Sequence, residues 1–331
     1  MKPHSGHAMH QRRILVTGGN GFIGRRLIRR LLAEGHALTL LQRSREHPPG
    51  ISELLQIDRL DPDVIERAVS GRQFDWVFHL AGYGVHPHDR DVRMMFDVNV
   101  KATIGMLNLA RSWSPRAVIL AATGSEYRLE GAESPITEVH PLEPFRLYPT
   151  SKAAGTLCAA SIARNTQVPF AAGRIFQVYG PGERSHRLLP SLIRALRAGK
   201  RVPLSPGTQV RDFVHVDDVV DAFLSMAQAL ETKPDQLILN ICSGIPTTVR
   251  SFAEIVARSI GHSVESLGFG DLNFRPDDAP YMIGDPARLR AFANWRPRFD
   301  LNSGIRSSIM DDEAKLEPLI EPRVAPRDER P

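Results

Sequence analysis

Short apolar runs alternate along this chain with longer stretches in which apolar residues return every three or four positions. These are the signatures of buried strands and of amphipathic helices. The first run, Ile14-Leu15-Val16, enters a glycine-rich turn, and Leu27, Ile28, Leu31 and Leu32 then recur at helical spacing with arginines between them. Further strands are predicted at 37–41, 52–57, 75–82 (with its turn), 117–121 and 168–175. Helices fall between them. One starts near Asp61-Pro62, where proline suits the first helical turn, one runs from Val92 to Trp113, and one opens at Tyr148. Beyond Gln167 the pattern loosens to a helix at 188–198, a strand at 237–241 and a helix from Val249. Strands alternating with helices predict an α/β fold, a doubly wound parallel sheet covered on both faces.

The turn after the first strand adds chemistry. Glycines 19, 21 and 24 fit G-x-G-x-x-G, and 18, 21 and 24 fit the longer G-x-x-G-x-x-G. Between a strand and a helix, such a turn lets backbone N–H groups approach a pyrophosphate at the positive end of the helix, which makes the sheet Rossmann-like. An NAD site usually carries an acid about twenty residues further on, at the end of the second strand. This chain has Gln42-Arg43-Ser44-Arg45 there. Arg43, Ser44 and Arg45 suit a 2′-phosphate, so NADP is favoured over NAD; a solvated basic loop is the plainer explanation of the same residues.

Tyr148 and Lys152 lie four apart on one helix face, and Thr123 follows the fifth strand, where open α/β sheets place their ligands. A tyrosine titrates near pH 10, and a neighbouring ammonium favours its phenolate. A threonine hydroxyl can hold a substrate oxygen beside the phenol, so the three suit proton transfer coupled to hydride exchange.

Composition narrows the alternatives. The 331 residues carry a net charge of +5 with arginines dispersed, which gives little support to nucleic-acid binding. No apolar run has the length of a bilayer span, and the two cysteines, Cys158 and Cys242, fit a reducing compartment, so a cytoplasmic protein is expected. His79, His86 and His88 lack the further ligands of a metal cluster and read as structural.

The assembled motifs resemble the extended short-chain dehydrogenase/reductase family, the nucleotide-sugar epimerases, dehydratases and ketoreductases. They are T-G-G-N-G-F-I-G at 17–24, H-L-A-G at 79–82, Asn99 in V-N-V-K-A-T, Thr123 with Glu126-Tyr127, and Y-P-T-S-K at 148–152. R-I-F-Q-V-Y-G-P-G at 174–182, R-D-F-V-H-V-D-D-V at 211–219 and R-P-D-D at 275–278 complete the set. The resemblance implies that Gly18, Gly21, Phe22, Ile23 and Gly24 hold the pyrophosphate, Asp58 meets the adenine, and His79, Leu80, Ala81 and Gly82 line the cofactor cleft. Tyr148 would be the acid/base, Thr123 its positioning partner, and Lys152 also a ligand of the nicotinamide ribose. Ser125, Gln177 and Arg211 would contact the sugar nucleotide, with Arg275 and Asp278 near its ribose. A homodimer through the helices at about 92–113 and 148–165 is also implied.

Two departures bear on the reaction. Gln177 stands where many relatives have asparagine. Gly124 and Ser125 stand where the family's 4,6-dehydratases carry Asp-Glu for water elimination, which disfavours a dehydratase. The residues leave open a 4-keto-(6-deoxy)hexose reductase, which is preferred, a nucleotide-sugar 4-epimerase retaining NAD, and, distantly, a non-catalytic dinucleotide sensor. The expected domains are a dinucleotide-binding one at 12–176 with 211–244 and a nucleotide-sugar lobe at 177–210 and 245–315, with a cleft between lobes for substrate. Tails at 1–11 and 316–331 are expected to be flexible.

Overall fold

The computed structural model describes residues 11–86, 88–275 and 278–316; the expected tails lie almost wholly outside them. The elements, in chain order, begin with β1 (Arg13–Thr17), α1 (Phe22–Ala33), β2 (Ala37–Gln42), β3 (Glu53–Gln56), α2 (Pro62–Val69) and β4 (Trp76–His79). Next come α3 (Val92–Phe96), a π-turn (Asp97–Lys101), α4 (Ala102–Trp113), β5 (Ala117–Thr123), α5 (Leu147–Thr166), β6 (Phe170–Ile175) and β7 (Gln177–Tyr179). The remainder is α6 (Leu188–Arg197), β8 (Val202–Leu204), β9 (Val210–His215), α7 (Val216–Thr232), β10 (Gln236–Ile241) and β11 (Pro246–Thr248). It ends with α8 (Val249–Ser259), β12 (Leu267–Phe269), β13 (Tyr281–Met282), α9 (Ala287–Ala293) and α10 (Leu301–Leu316).

Seven parallel strands form the central sheet in the order β10-β6-β5-β4-β1-β2-β3. Strand periodicity sorts its side chains into two cores. Ile14 and Val16, Leu38 and Leu40, Trp76 and Phe78, and Ala117 and Ile119 pack on one face with residues of α1 and α7. Leu15, Leu41, Val77 and Val118 pack on the other with residues of α2, α4 and α5. This is the predicted doubly wound, Rossmann-like sheet.

Two local predictions need correction. The helix expected from Val92 to Trp113 is interrupted: Ala102 N–H reaches back five residues to Asp97 O, which inserts the π-turn. Asn99 sits in that turn with its side chain committed to other elements, a use for which π-turns are recurrently found. The second correction is α7, which the pattern did not single out. Its polar stripe, Asp217, Asp221, Ser225 and Gln228, is narrow, and Asp218 and most of the apolar residues of the helix are buried on the wide remaining face.

The chain divides into two compact units. The larger contains the central sheet, 208–249 and 275–298. Residues 275–298, assigned from the sequence to the substrate lobe, belong to it because β13 pairs with β9 and α9 packs on α7 and β10. The second unit comprises 179–207, 250–274 and 299–316, and contains the parallel pair β12-β8.

Candidate active site

The glycine turn is built by close approach. Gly18 has φ of +70°, and a Cβ there would stand 2.7 Å from Ala81 N, so β1 can turn only against a bare backbone. A Cβ on Gly24 would overlap Gly18 O, and Gly21 N–H donates to that same carbonyl at 3.0 Å. Gly21 caps α1 without a side-chain hydrogen bond, and the first turn, with Phe22, Ile23 and Gly24, carries no acid. The helix therefore presents an uncompensated positive end, a fit to a dinucleotide pyrophosphate.

The neighbouring loops are held by their own polar groups. After β2, Arg43 and Arg45 are exposed, whereas Gln42 is buried and donates through Nε2 to Ser44 O and Glu46 O at 3.2 and 2.7 Å. Ser44 Oγ accepts from Glu46 N–H at 3.0 Å. Asp58 is exposed and pairs with Arg59 at 2.9 Å. After β4, Leu80 N–H donates to Thr17 O and Ala81 N–H to Thr17 Oγ1, both at 3.2 Å.

Thr123 ends β5. Its N–H donates to Glu126 Oε1 at 3.3 Å and its Oγ1 accepts from Ser125 N–H at 3.2 Å, which fixes the turn that follows. Tyr148 and Lys152 lie in the first turns of α5. Lys152 is buried and donates through Nζ to Ala121 O at 2.8 Å, two residues before Thr123 on β5. Burial pulls its pKa below the usual lysine value, and the Glu126 carboxylate opposes that shift. A Cβ on Gly82 would stand 3.9 Å from Lys152 Nζ, so the ammonium lies beside the β4 turn. Tyr148 is half-buried, with its ring against Gly84. The fold thus gathers the glycine turn, the β4 turn, Thr123 and Lys152 at the carboxyl end of the sheet.

The expected substrate residues are partly drawn together. Arg211, on β9, is buried and donates to Val210 O at 2.8 Å and to Asp278. Asp278 also accepts from Gln209 Nε2 at 2.6 Å, and its N–H donates to Arg275 O at 3.0 Å. Arg211 and Asp278 are therefore an ion pair. Arg275 is exposed; Gln177 is half-buried on β7, which pairs with β9, and Ser125 is half-buried after Thr123.

Most of the other polar residues around the site carried no assigned role in the sequence reading. Glu126 is fully buried: Oε1 accepts from Thr123 N–H and from Thr156 Oγ1 (2.9 Å), and Oε2 accepts from Arg174 Nε (2.8 Å). The available signal was an arginine inside an otherwise apolar strand, since a buried charge requires a partner. Thr17, His79, Asn99 and Thr103 form a second buried polar group, and His79 is held neutral by burial, with its pKa pulled down to about 3. His79 thus belongs to that network, and among the described residues no group of three or more His, Cys, Asp or Glu is placed to hold a metal ion. No helix among the described residues is long and apolar enough to cross a membrane.

Comparison with known proteins places this geometry. A probable UDP-glucuronate 4-epimerase of Rhizobium meliloti is 27% identical over 335 residues, covering 88% of this chain and 94% of its own. A dTDP-6-deoxy-L-talose 4-dehydrogenase (NAD(P)(+)) of Kitasatospora kifunensis is 26% identical, covering 92% and 95%. Among solved structures, MoeE5 in complex with UDP-glucuronic acid and NAD shares 28% identity with a TM-score of 0.78, covering 92% of this chain and 100% of that one. The UDP-glucose 4-epimerase of Thermotoga maritima, at 24% identity and a TM-score of 0.81, covers 92% and 99% and has the same fold. The profile of the family described as "NAD dependent epimerase/dehydratase family" matches residues 14–242. The chain is an enzyme of the NAD-dependent epimerase/dehydratase family.

Proposed function

We propose that this protein is an NAD-dependent nucleotide-sugar 4-epimerase acting on a UDP-hexose or UDP-hexuronic acid. The observation that carries the reading is the turn after β5. Gly124 and Ser125 follow Thr123, and Glu126 is buried against Arg174, so the turn supplies no acid/base pair for elimination. What remains is one proton-transfer unit, Tyr148 with Lys152 and Thr123, sufficient for oxidation at a carbon and its reversal. The relatives named as UDP-sugar 4-epimerases favour the epimerase over the ketoreductase preferred from sequence.

The bound nicotinamide would take up and return the hydride. This chain's part is the proton. Tyr148 takes it from the sugar hydroxyl and later gives it back, while the Lys152 charge favours the phenolate. Thr123 Oγ1 already accepts from Ser125 N–H, which leaves its own proton for the substrate oxygen. Phe22, Ile23 and Gly24 would hold the pyrophosphate, and Arg211, released from Asp278, the substrate phosphates.

NAD rather than NADP is favoured by neighbours that bind NAD and by the loop after β2, where Gln42 Nε2 and Ser44 Oγ are engaged with the loop's own backbone. The reading includes a homodimer through residues 92–113 and 148–165, whose exposed Val92, Met94 and Leu157 suit an apolar contact. The test is incubation of the purified protein with UDP-glucose and UDP-glucuronate plus NAD. The C4 epimer without net coenzyme reduction is expected; consumption of NADPH by a 4-keto sugar nucleotide, with no epimerisation, would contradict the reading.

A further inference from the structure

A hydrogen-bond chain of one direction joins the end of β1 and the β4 turn to the π-turn. Ala81 N–H donates to Thr17 Oγ1, Thr17 Oγ1 lies 2.7 Å from His79 Nδ1, and His79 Nε2 lies 3.2 Å from Thr103 Oγ1. Thr103 Oγ1 lies 3.0 Å from Asn99 O. A hydroxyl has one proton, and a carbonyl oxygen can only accept. Thr103 therefore gives its proton to Asn99 O and must accept from His79. That makes His79 the Nε2–H tautomer, so its Nδ1 accepts the proton of Thr17. All four side chains are buried.

At the far end, the Asn99 side chain holds two segments that border Tyr148. Its Oδ1 accepts from Tyr83 N–H at 2.9 Å, and its Nδ2 donates to Tyr83 O at 2.8 Å and to Ser151 Oγ at 3.0 Å. Ser151 Oγ in turn donates to Tyr148 O at 2.8 Å. Tyr83 precedes Gly84, where an added Cβ would stand 2.7 Å from Tyr148 Cδ2. Asn99 thus secures both the helical turn that carries Tyr148 and the segment against its ring.

We propose that His79 and Thr103 are positioning residues for Tyr148, acting through Asn99 and the π-turn to couple the cofactor turn to the acid/base. This rests on the reading of Tyr148 as the acid/base. The charge state supports the geometry: His79 stays neutral through burial and the nearby Lys152, so the chain persists at every working pH. Each link uses a donor and an acceptor that an apolar side chain of equal volume would lack.

Thr103→Val keeps the volume and removes two links, whereas Thr103→Ser keeps both. Thr103→Val is expected to lower kcat roughly ten- to a hundredfold, with KM for the sugar nucleotide held within about threefold, because misplacement of the acid/base acts on the transition state. It is also expected to shift the pH–rate limb governed by Tyr148, and Thr103→Ser restores both. Wild-type kcat and pH profile in Thr103→Val would overturn the proposal. Should that variant not fold, ¹⁵N spectra of the wild-type protein decide, with the His79 resonance assigned by its absence in His79→Gln. A neutral Nε2–H ring from about pH 5 to 9 is expected, and an Nδ1–H or charged ring would overturn the chain. Tyr148→Phe separates the two levels: wild-type turnover there defeats the acid/base reading itself, whereas an inactive Tyr148→Phe beside a wild-type Thr103→Val defeats the relay alone.

Discussion

Arg174 Nε donates to Glu126 Oε2 at 2.8 Å, with 2% and 0% of the two side chains exposed to solvent. The guanidinium also lies 4.5 Å over the ring of Tyr127, whose own hydroxyl donates to Asn240 Oδ1 at 2.6 Å. Burial raises the Tyr127 pKa to about 12, so this tyrosine remains a neutral donor and is no rival to Tyr148 as acid/base. Arg174→Leu would leave the Glu126 carboxylate buried without its partner, at a cost of about 3–5 kcal/mol. Denaturant unfolding of the variant checks this. Because Glu126 also receives the Thr123 N–H, turnover should fall in whatever fraction remains folded.

Gly155 on α5 lies against the π-turn so closely that a Cβ there would overlap Asn99 O. Gly155→Ala is therefore expected to push α5 from the turn and destabilise the protein by roughly 1–3 kcal/mol, the usual cost of overpacking. Turnover should fall with it, since Tyr148 and Lys152 ride on the same helix. Thermal unfolding together with a rate measurement tests the pair of effects. A variant that matches wild type in both would show that the helix is not seated where this packing puts it.

Glu183, in the second unit, supplies a pH dependence. Its carboxyl is buried, Oε2 is without a partner among the described residues, and Oε1 meets Arg187 Nε at 3.3 Å. Burial outweighs that arginine and lifts the pKa from the ordinary 4.5 to about 7. The folded carboxyl holds its proton more tightly than the unfolded one, so stability is fullest below pH 4.5, falls as pH rises to about 7 and is flat above. The loss amounts to at most about 3 kcal/mol. Glu183→Gln should lack that slope when denaturant midpoints at about pH 5 and pH 8 are compared with those of the wild type; equal slopes in both proteins would count against the buried carboxyl.

Much of the sheet was legible because a strand buried on both faces is a continuous apolar run, as in Ile14-Leu15-Val16 and Ala117-Val118-Ile119-Leu120. Asp61 and Pro62 mark the start of α2 by local chemistry alone, since Asp61 accepts from Asp63 N–H and proline takes the first turn. Trp295 is buried with Nε1–H donating to Asp218 O. The π-turn left no such trace, because one inserted residue barely disturbs a helical period across Val92–Trp113. The pairing of Arg211 with Asp278, and of Glu126 with Arg174, joins residues far apart in sequence, and local patterns hold no information on such partners. The positions of Tyr148 and Lys152 on one helix and of Thr123 at a strand end were legible for the opposite reason, since helical spacing and a strand's end are local features.

In the proposed epimerase, hydride leaves and returns to the same sugar carbon. The most direct measurement uses a UDP-hexose or UDP-hexuronate deuterated at C4, incubated with the purified protein and NAD and followed by NMR and mass spectrometry. The C4 epimer is expected with its deuterium retained and no accumulation of reduced coenzyme. Deuterium appearing in reduced coenzyme released to solution, with a keto sugar nucleotide as product, would identify a dehydrogenase or ketoreductase and contradict the proposal.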